Sequence, residues 1–454
     1  MEYDLLIKNA QVVLSHDVVK ADIGISNEKI VRIEENIGDN ALEIIDADGL
    51  HVLPGVTDAH VHFDEPGRTE WETIATGSAA FAAGGGSLYF DMPLNSFPTT
   101  CDVESFQAKL TVALKDSYID FGIWGGLTPS SLDHVEALAE AGVIGFKSFA
   151  CFTGVGGLER ADDTTLYLGM KKLAKLNLPL MVHAENAEIT RDLTNQFISE
   201  GKMTARDYFA SRPVITEVEN VSRMTLFAEE TGCRVFIAHV STAKAVALVT
   251  EARSRGIDIH CETIGHYLAF NEDDVERLGT EAKCSPPIRD RDNQVKLWAR
   301  MLQDEIAFVS SDHSPCDPQL KKGEFLKAWG GITACQSTLP LMLTFGYHER
   351  RLSLPHLSRL TSENMARLFN IANKGKIALG YDADLVLVDL NKGFRLRAED
   401  LLYKHKMSVY VGYDFKASVV QTLVRGKTIY KDGKIVSKPF GKHIKPQFNS
   451  KMSD

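Results

Sequence analysis

Between residues 52 and 311, short apolar runs alternate with longer stretches whose apolar positions recur every three or four residues. A strand covered on both faces reads as a nearly continuous run of Val, Ile, Leu and Phe, so the short runs predict buried strands. Eight of them occur: Val52–His60, Ser87–Met92, Phe121–Leu127, Val143–Phe149, Leu178–His183, Val235–Val240, Ile257–Glu262 and Ile306–Ser311. Between them the spacing predicts helices over 131–141, 164–175, 218–231, 243–255 and 292–302. This is the grammar of an α/β protein. Eight strands suit a (β/α)8 barrel, and the polar residues gather at strand ends, as that architecture favours. A doubly wound sheet competes, but strand count and polar placement favour the barrel.

The two ends of the chain have another texture. Residues 4–48 alternate in short apolar runs broken by Asn, Asp and Gly, and the same pattern returns after residue 383. Neither end has strands enough for a sheet domain, so the two are expected to combine into one small β-sandwich. The expected organisation is sandwich over 1–51, barrel over 52–364, sandwich again over 365–438, and a tail over 439–454. That tail is polar and basic, and is expected to pack loosely.

With 454 residues, a barrel plus an appended domain fits the length. The formal net charge of -11 argues against nucleic acid and anionic membrane surfaces as partners. Seven scattered cysteines without a Cys-x-x-Cys pair suit a reducing compartment. With no signal-peptide pattern at Met1-Glu-Tyr-Asp and no long apolar run, a cytoplasmic protein is expected.

The candidate chemistry sits at the strand ends. The first predicted strand ends in His60 and His62, the fourth carries Lys147, the fifth ends in His183, the sixth in His239, and the eighth leads to Asp312. Taken singly, each has an ordinary reading as a hydrogen-bonded rim residue, a snorkelling lysine or a helix cap. Together, four histidines, an aspartate and a lysine at the ends of strands of one barrel point to a metal centre. Five imidazole and carboxylate ligands exceed one tetrahedral site, so two divalent ions are expected: zinc first, with cobalt, manganese or iron as alternatives. Ions about 3.5–4 Å apart need a bridging anion. A lysine ammonium cannot bridge, but a lysine that has captured carbon dioxide carries a two-oxygen carbamate. Lys147 is therefore expected to be N6-carboxylysine.

These motifs resemble the amidohydrolase superfamily, in its cyclic-amide branch of hydantoinases, dihydropyrimidinases, dihydroorotases and allantoinases. Pro54-Gly-Val-Thr-Asp-Ala-His-Val-His resembles the opening signature of that branch. Gly145-Phe-Lys-Ser-Phe, His183-Ala-Glu, Ala238-His-Val-Ser and Ser311-Asp-His-Ser-Pro follow in the family's order, and Gly380-Tyr-Asp-Ala-Asp-Leu-Val-Leu-Val resembles its split sandwich. The resemblance implies that His60 and His62 bind the more buried ion, and His183 and His239 the more exposed one. Carboxylated Lys147 would bridge them. Asp312 would bind the first ion and act as catalytic acid and base. It also implies a homotetramer.

The expected substrate is a small neutral cyclic amide. Dihydroorotases usually carry an arginine two residues after the second histidine; here that position is Asp64, which is expected to repel an anion. Dihydropyrimidinases and hydantoinases usually place a tyrosine five residues after the bridging lysine; here Phe152 offers no donor. Segments such as Asp91-Met-Pro-Leu-Asn-Ser, Lys283-Cys-Ser-Pro-Pro-Ile-Arg and Ala328-Trp-Gly-Gly-Ile resemble allantoinases. That resemblance implies opening of the hydantoin ring of allantoin to allantoate, with Ser285 and Gly330 as substrate contacts. The alternatives are a hydantoinase or dihydropyrimidinase acting on other cyclic amides and, more remotely, a non-catalytic scaffold of the same fold. His266 and His313 lie near the predicted mouth without an assigned role.

Overall fold

The structure, a computed structural model, describes residues 2–38, 40–154 and 158–447. Its centre is a ring of eight parallel strands: Val56–Val61, Gly86–Asp91, Asp120–Ile123 continued by Gly125–Gly126, Phe146–Phe149, Leu180–His183, Val235–Ile237, Ile259–Ile264 and Phe308–Ser310. Neighbours pair in parallel around the ring, and the last meets the first through the Val61–His313 bridge and a bond from His62 N to His313 O. Nearly every strand residue is buried, which is why these segments read as apolar runs. Phe90, Trp124, Phe236 and Phe308 fill the interior with Phe369, whose ring stacks on Phe236 at 4.7 Å.

The helices begin and end where local chemistry directs. Asp162 and Thr242 cap Asp163–Leu176 and Ala243–Ser254 by accepting from the backbone of the first turn. Asn177 ends the first of these, and Gly142 ends Val135–Ala141, both in the left-handed conformation. Three further helices, Ile74–Ala83, Val103–Asp116 and Ala187–Ser199, extend the helical set beyond the periodic stretches singled out in the sequence.

Both chain ends enter one nine-stranded sheet. Its hinge is His51–Pro54, which pairs in parallel with Gln11 and Val12 on one side and antiparallel with Leu385–Val388 on the other. Leu5, Ile7, Ile23, Val52, Leu385 and Leu423 form the core of this sandwich. The run expected as one strand, Val52–His60, is thus two. It divides at Gly55, because its first half pairs with the sandwich and its second with the barrel.

The expectation of a loose tail fails for residues 440–447. Phe440 and Gly441 donate to Ser117 O, Phe121 N donates to Lys442 O and Ile444 N to Phe121 O. The His443 ring stacks on Phe121, and Ile444 packs against the barrel interior. Two apolar side chains and a run of backbone bonds outweigh the polar composition. Residues 448–454 lie outside the described residues. Among the described residues, no helix is long and apolar enough to cross a membrane.

Candidate metal centre

The barrel brings the six residues to the C-terminal ends of its strands. His60 lies within the first strand and His62 just beyond it; Lys147 lies in the fourth; His183 ends the fifth; His239 and Asp312 follow the sixth and eighth by two residues. All six are buried. Asp312 Oδ1 lies 3.3 Å from His60 Nε2 and 3.5 Å from His62 Nε2. Lys147 Nζ lies 3.4 Å from His60 Nε2. The His239 ring is 5.3 Å from that of His60 and 4.6 Å from that of His183. His239 and Asp312 both adopt positive φ, 36° and 43°, a conformation costly for residues other than glycine and frequent at functional sites.

Around these lies a ring of partners that sequence reading did not assign. Glu262 Oε1 faces His60 Nδ1 at 2.5 Å, and Leu94 O faces His62 Nδ1 at 2.5 Å. Neither oxygen belongs to a donor group when Glu262 is ionised. Each Nδ1 therefore carries the proton, which leaves the Nε2 lone pairs directed at a common point beside Asp312. Glu185 Oε2 plays the same part for His183, 2.8 Å from its Nε2, and is itself held by Arg212 at 2.7 Å. Although burial opposes ionisation, Arg212 and His183 pull the Glu185 carboxyl down to about 2. Glu262 ends a predicted strand and Glu185 closes His183-Ala-Glu. Those positions were their only signal.

Electrostatics set the charge states. Burial pushes the Lys147 amine down to about 8, against the opposing pull of Glu262 and Asp312. Burial would raise Asp312, but His60, His62 and His239 hold its carboxyl well below the usual carboxylate range. Burial also holds His239 well below the ordinary imidazole value. The donor set fits a divalent cation: His60, His62 and Asp312 offer atoms mutually within 4.8 Å, with lone pairs oriented by outer partners. A second such group, Cys151, His183 and Glu185, adjoins it.

Above this floor opens a cavity of about 360 Å³, the size of a small-ligand pocket. Ser285 and Gly330 both line it, close together: a Cβ built on Gly330 would meet Ser285 Oγ at 3.8 Å. Tyr208 Oη lies 2.8 Å from Cys284 O, which must accept its proton, so Ser285 Oγ donates to Tyr208 at 2.6 Å. Donating uses neither Oγ lone pair, so Ser285 Oγ can accept from a ligand N–H. Phe152 stands half-exposed at the rim, with the Arg160 and Arg191 guanidiniums 5.4 and 5.6 Å from its ring.

The expected repulsion at Asp64 is not supported. Its buried carboxylate lies behind the wall, where Oδ1 accepts from Asn95 Nδ2 at 3.3 Å, and Asn95 is the residue facing the cavity. Burial, with Asp91 and Glu72 nearby, raises the Asp64 carboxyl well above its ordinary value, which favours the neutral acid. His313 is a framework residue: its Nδ1 accepts from Ala334 N at 3.1 Å and its ring stacks on Tyr403. His266 is fully buried beside Tyr267, and burial lowers it to about 4.

A model of the amidohydrolase family matches residues 51–429. Among curated proteins, the chain is 62% identical over 444 residues to an allantoinase of Desulfitobacterium hafniense, covering 98% of this chain and 99% of that one. An allantoinase of Rubrobacter xylanophilus is 48% identical, with 98% of each chain covered. Among solved structures, the L-hydantoinase (dihydropyrimidinase) of Arthrobacter aurescens superposes with a TM-score of 0.95 at 32% identity, over 98% of this chain and 100% of that one. The D-hydantoinase (dihydropyrimidinase) of a Thermus species gives a TM-score of 0.90 at 29% identity, over 97% and 99%. With the family pattern spanning barrel and sandwich strands alike, this chain belongs to the amidohydrolase family.

Proposed function

We propose that this protein opens the hydantoin ring of allantoin to give allantoate, at two divalent metal ions held by His60, His62, Lys147, His183, His239 and Asp312. The enzyme is a metal-dependent hydrolase of cyclic amides. The observation that carries the reading is the convergence of His60, His62, His183, His239 and Asp312 on the floor of one small cavity, with Lys147 Nζ 3.4 Å from His60 Nε2, in a chain 62% identical to an allantoinase.

Ions bound there would polarise the scissile carbonyl and acidify a water molecule. The chain's own residues do the rest. Glu262, Leu94 O and Glu185 fix the imidazole orientations. The Lys147 amine, buried with no carboxylate in hydrogen-bonding contact among the described residues, attacks carbon dioxide; a N–C bond forms, one proton leaves, and an anionic carbamate results. Asp312 accepts a proton from the attacking water as the new C–O bond forms, then returns it to the ring nitrogen as the C–N bond breaks. Ser285 and Gly330 hold the neutral ring through side-chain and backbone polar groups. Zinc is the proposed metal. Seven free cysteines fit a reducing cytoplasm, and resemblance to the cyclic-amide branch implies a homotetramer, which light scattering tests.

A parallel assay of allantoin, 5-substituted hydantoins, dihydrouracil and dihydroorotate tests the substrate. Allantoin should turn over fastest. Faster turnover of a simple hydantoin would favour the hydantoinase reading, for which the likeness to the Arthrobacter fold stands as support.

A further inference from the structure

Two buried lysines stand beside the cavity without a carboxylate partner among the described residues. Lys321, 5% exposed, directs Nζ at five backbone carbonyls: Gly331 O at 2.5 Å, Trp329 O at 3.0 Å, Thr280 O at 3.2 Å, Lys283 O at 3.3 Å and Glu281 O at 3.4 Å. Lys283, 6% exposed, reaches the other way, from Nζ to Ala328 O at 2.6 Å and Leu326 O at 2.7 Å. Gly331 N completes the tie by donating to Lys283 O at 2.8 Å, and Trp329 N closes the longer segment on itself through Leu320 O. Two stretches some forty residues apart are thus laced together, and they are the stretches that supply Ser285 and Gly330 to the cavity.

We propose that Lys321 is a positioning residue for substrate binding, setting the separation of Ser285 and Gly330 by gathering the carbonyls of residues 280–283 and 329–331 around one ammonium. Five carbonyl dipoles facing one another without a cation repel, and buried acceptors left unpaired carry a desolvation penalty. Removing the ammonium therefore spreads the two stretches. None of the six metal-centre residues lies in either stretch, so the loss falls on binding and not on the chemical step. Burial lowers the Lys321 amine to about 8, so its cation weakens on the alkaline side; Cys316, Cys284, Glu281, Lys283 and His266 are the titratable groups that interact with it among the described residues.

The inference rests on the proposed hydrolysis of allantoin, and the wild-type enzyme assayed alongside separates the two: no turnover of allantoin by wild type overturns the function, not the positioning role. Lys321→Met should raise KM for allantoin by about tenfold or more, with kcat within about twofold of wild type and metal content unchanged. Lys321→Arg, which keeps the charge, should recover part of the loss. An unchanged KM, or kcat and metal content falling in step with it, overturns the proposal. If Lys321→Met does not fold, Lys283→Met tests the opposite tie: a raised KM supports the lacing, an unaltered KM overturns it.

Discussion

The Oε1 of Glu262 lies 2.5 Å from His60 Nδ1 and also accepts the backbone N–H of His239 at 3.1 Å, so one carboxylate oxygen indexes two candidate ligands on different strands. Its other oxygen is held by Ser310 Oγ at 2.6 Å. Glu262→Gln keeps the shape and removes the charge. The variant should fold normally and lose about 10–100-fold in metal affinity or activity, as outer partners of metal-bound histidines typically do. Chelator titration followed by metal analysis checks this, and unchanged affinity would show that Glu262 only packs.

Metal removal should abolish turnover while leaving the fold intact, because the sandwich and barrel cores do not depend on the site. Dialysis against a chelator, circular dichroism, and reloading with zinc make the measurement. Purified protein should hold close to two divalent ions per chain, and none after full reconstitution would sink the proposed mechanism.

Lys147→Ala should lose activity and metal together, with partial rescue by a small carboxylic acid that supplies the missing oxygens. In wild type, recapture of carbon dioxide by metal-free, acid-stripped enzyme needs the neutral amine. Burial puts that amine at about 8, so the rate should climb as pH rises towards 8 and level off above it. A rate still climbing steeply well above pH 9 would place the amine at an ordinary lysine value.

Asp312→Ala should fold and keep most of its metal while kcat falls by about 10²–10⁴-fold, the range for loss of a positioned acid and base. Equal loss of metal and turnover would reduce Asp312 to a ligand.

Ile444→Ala should cost about 2 kcal/mol of stability, since the side chain fills space against the barrel interior. Truncation after Pro439 should cost more, by also removing the backbone bonds to Ser117 and Phe121. Denaturant titration gives both values, and a wild-type midpoint for the truncated chain would contradict the observed packing.

The barrel and its ligands were legible in sequence because burial on both faces forces apolar runs, and each run ends where polar chemistry begins. His60, Lys147, His183, His239 and Asp312 stand out there because few polar residues follow such runs. Glu262 and Glu185 lack that contrast; they are two acids among 61, marked only by what folding brings beside them. Lys321 is harder still, since its partners are backbone carbonyls, those of Thr280, Glu281 and Lys283 some forty residues away, which no side-chain pattern records. The division of Val52–His60 was hidden because strand pairing, not composition, decides which sheet each half joins. The tail misled because composition counts charges and misses the contacts of Phe440, His443 and Ile444.

Gly55 has no room for a side chain: a Cβ there would fall 2.4 Å from Ser87 Oγ. Its amide bonds to Asp384 O in the sandwich, while the next amide, Val56, bonds to Gly85 O at the foot of the barrel. Five residues later the same strand delivers His60. The sandwich is therefore a fixed mount for the strand that carries the first two imidazoles, and a half-ångström error in its seating would be passed along that strand to the catalytic floor. A barrel excised from its sandwich should lose alignment at His60 and His62 before it loses its fold.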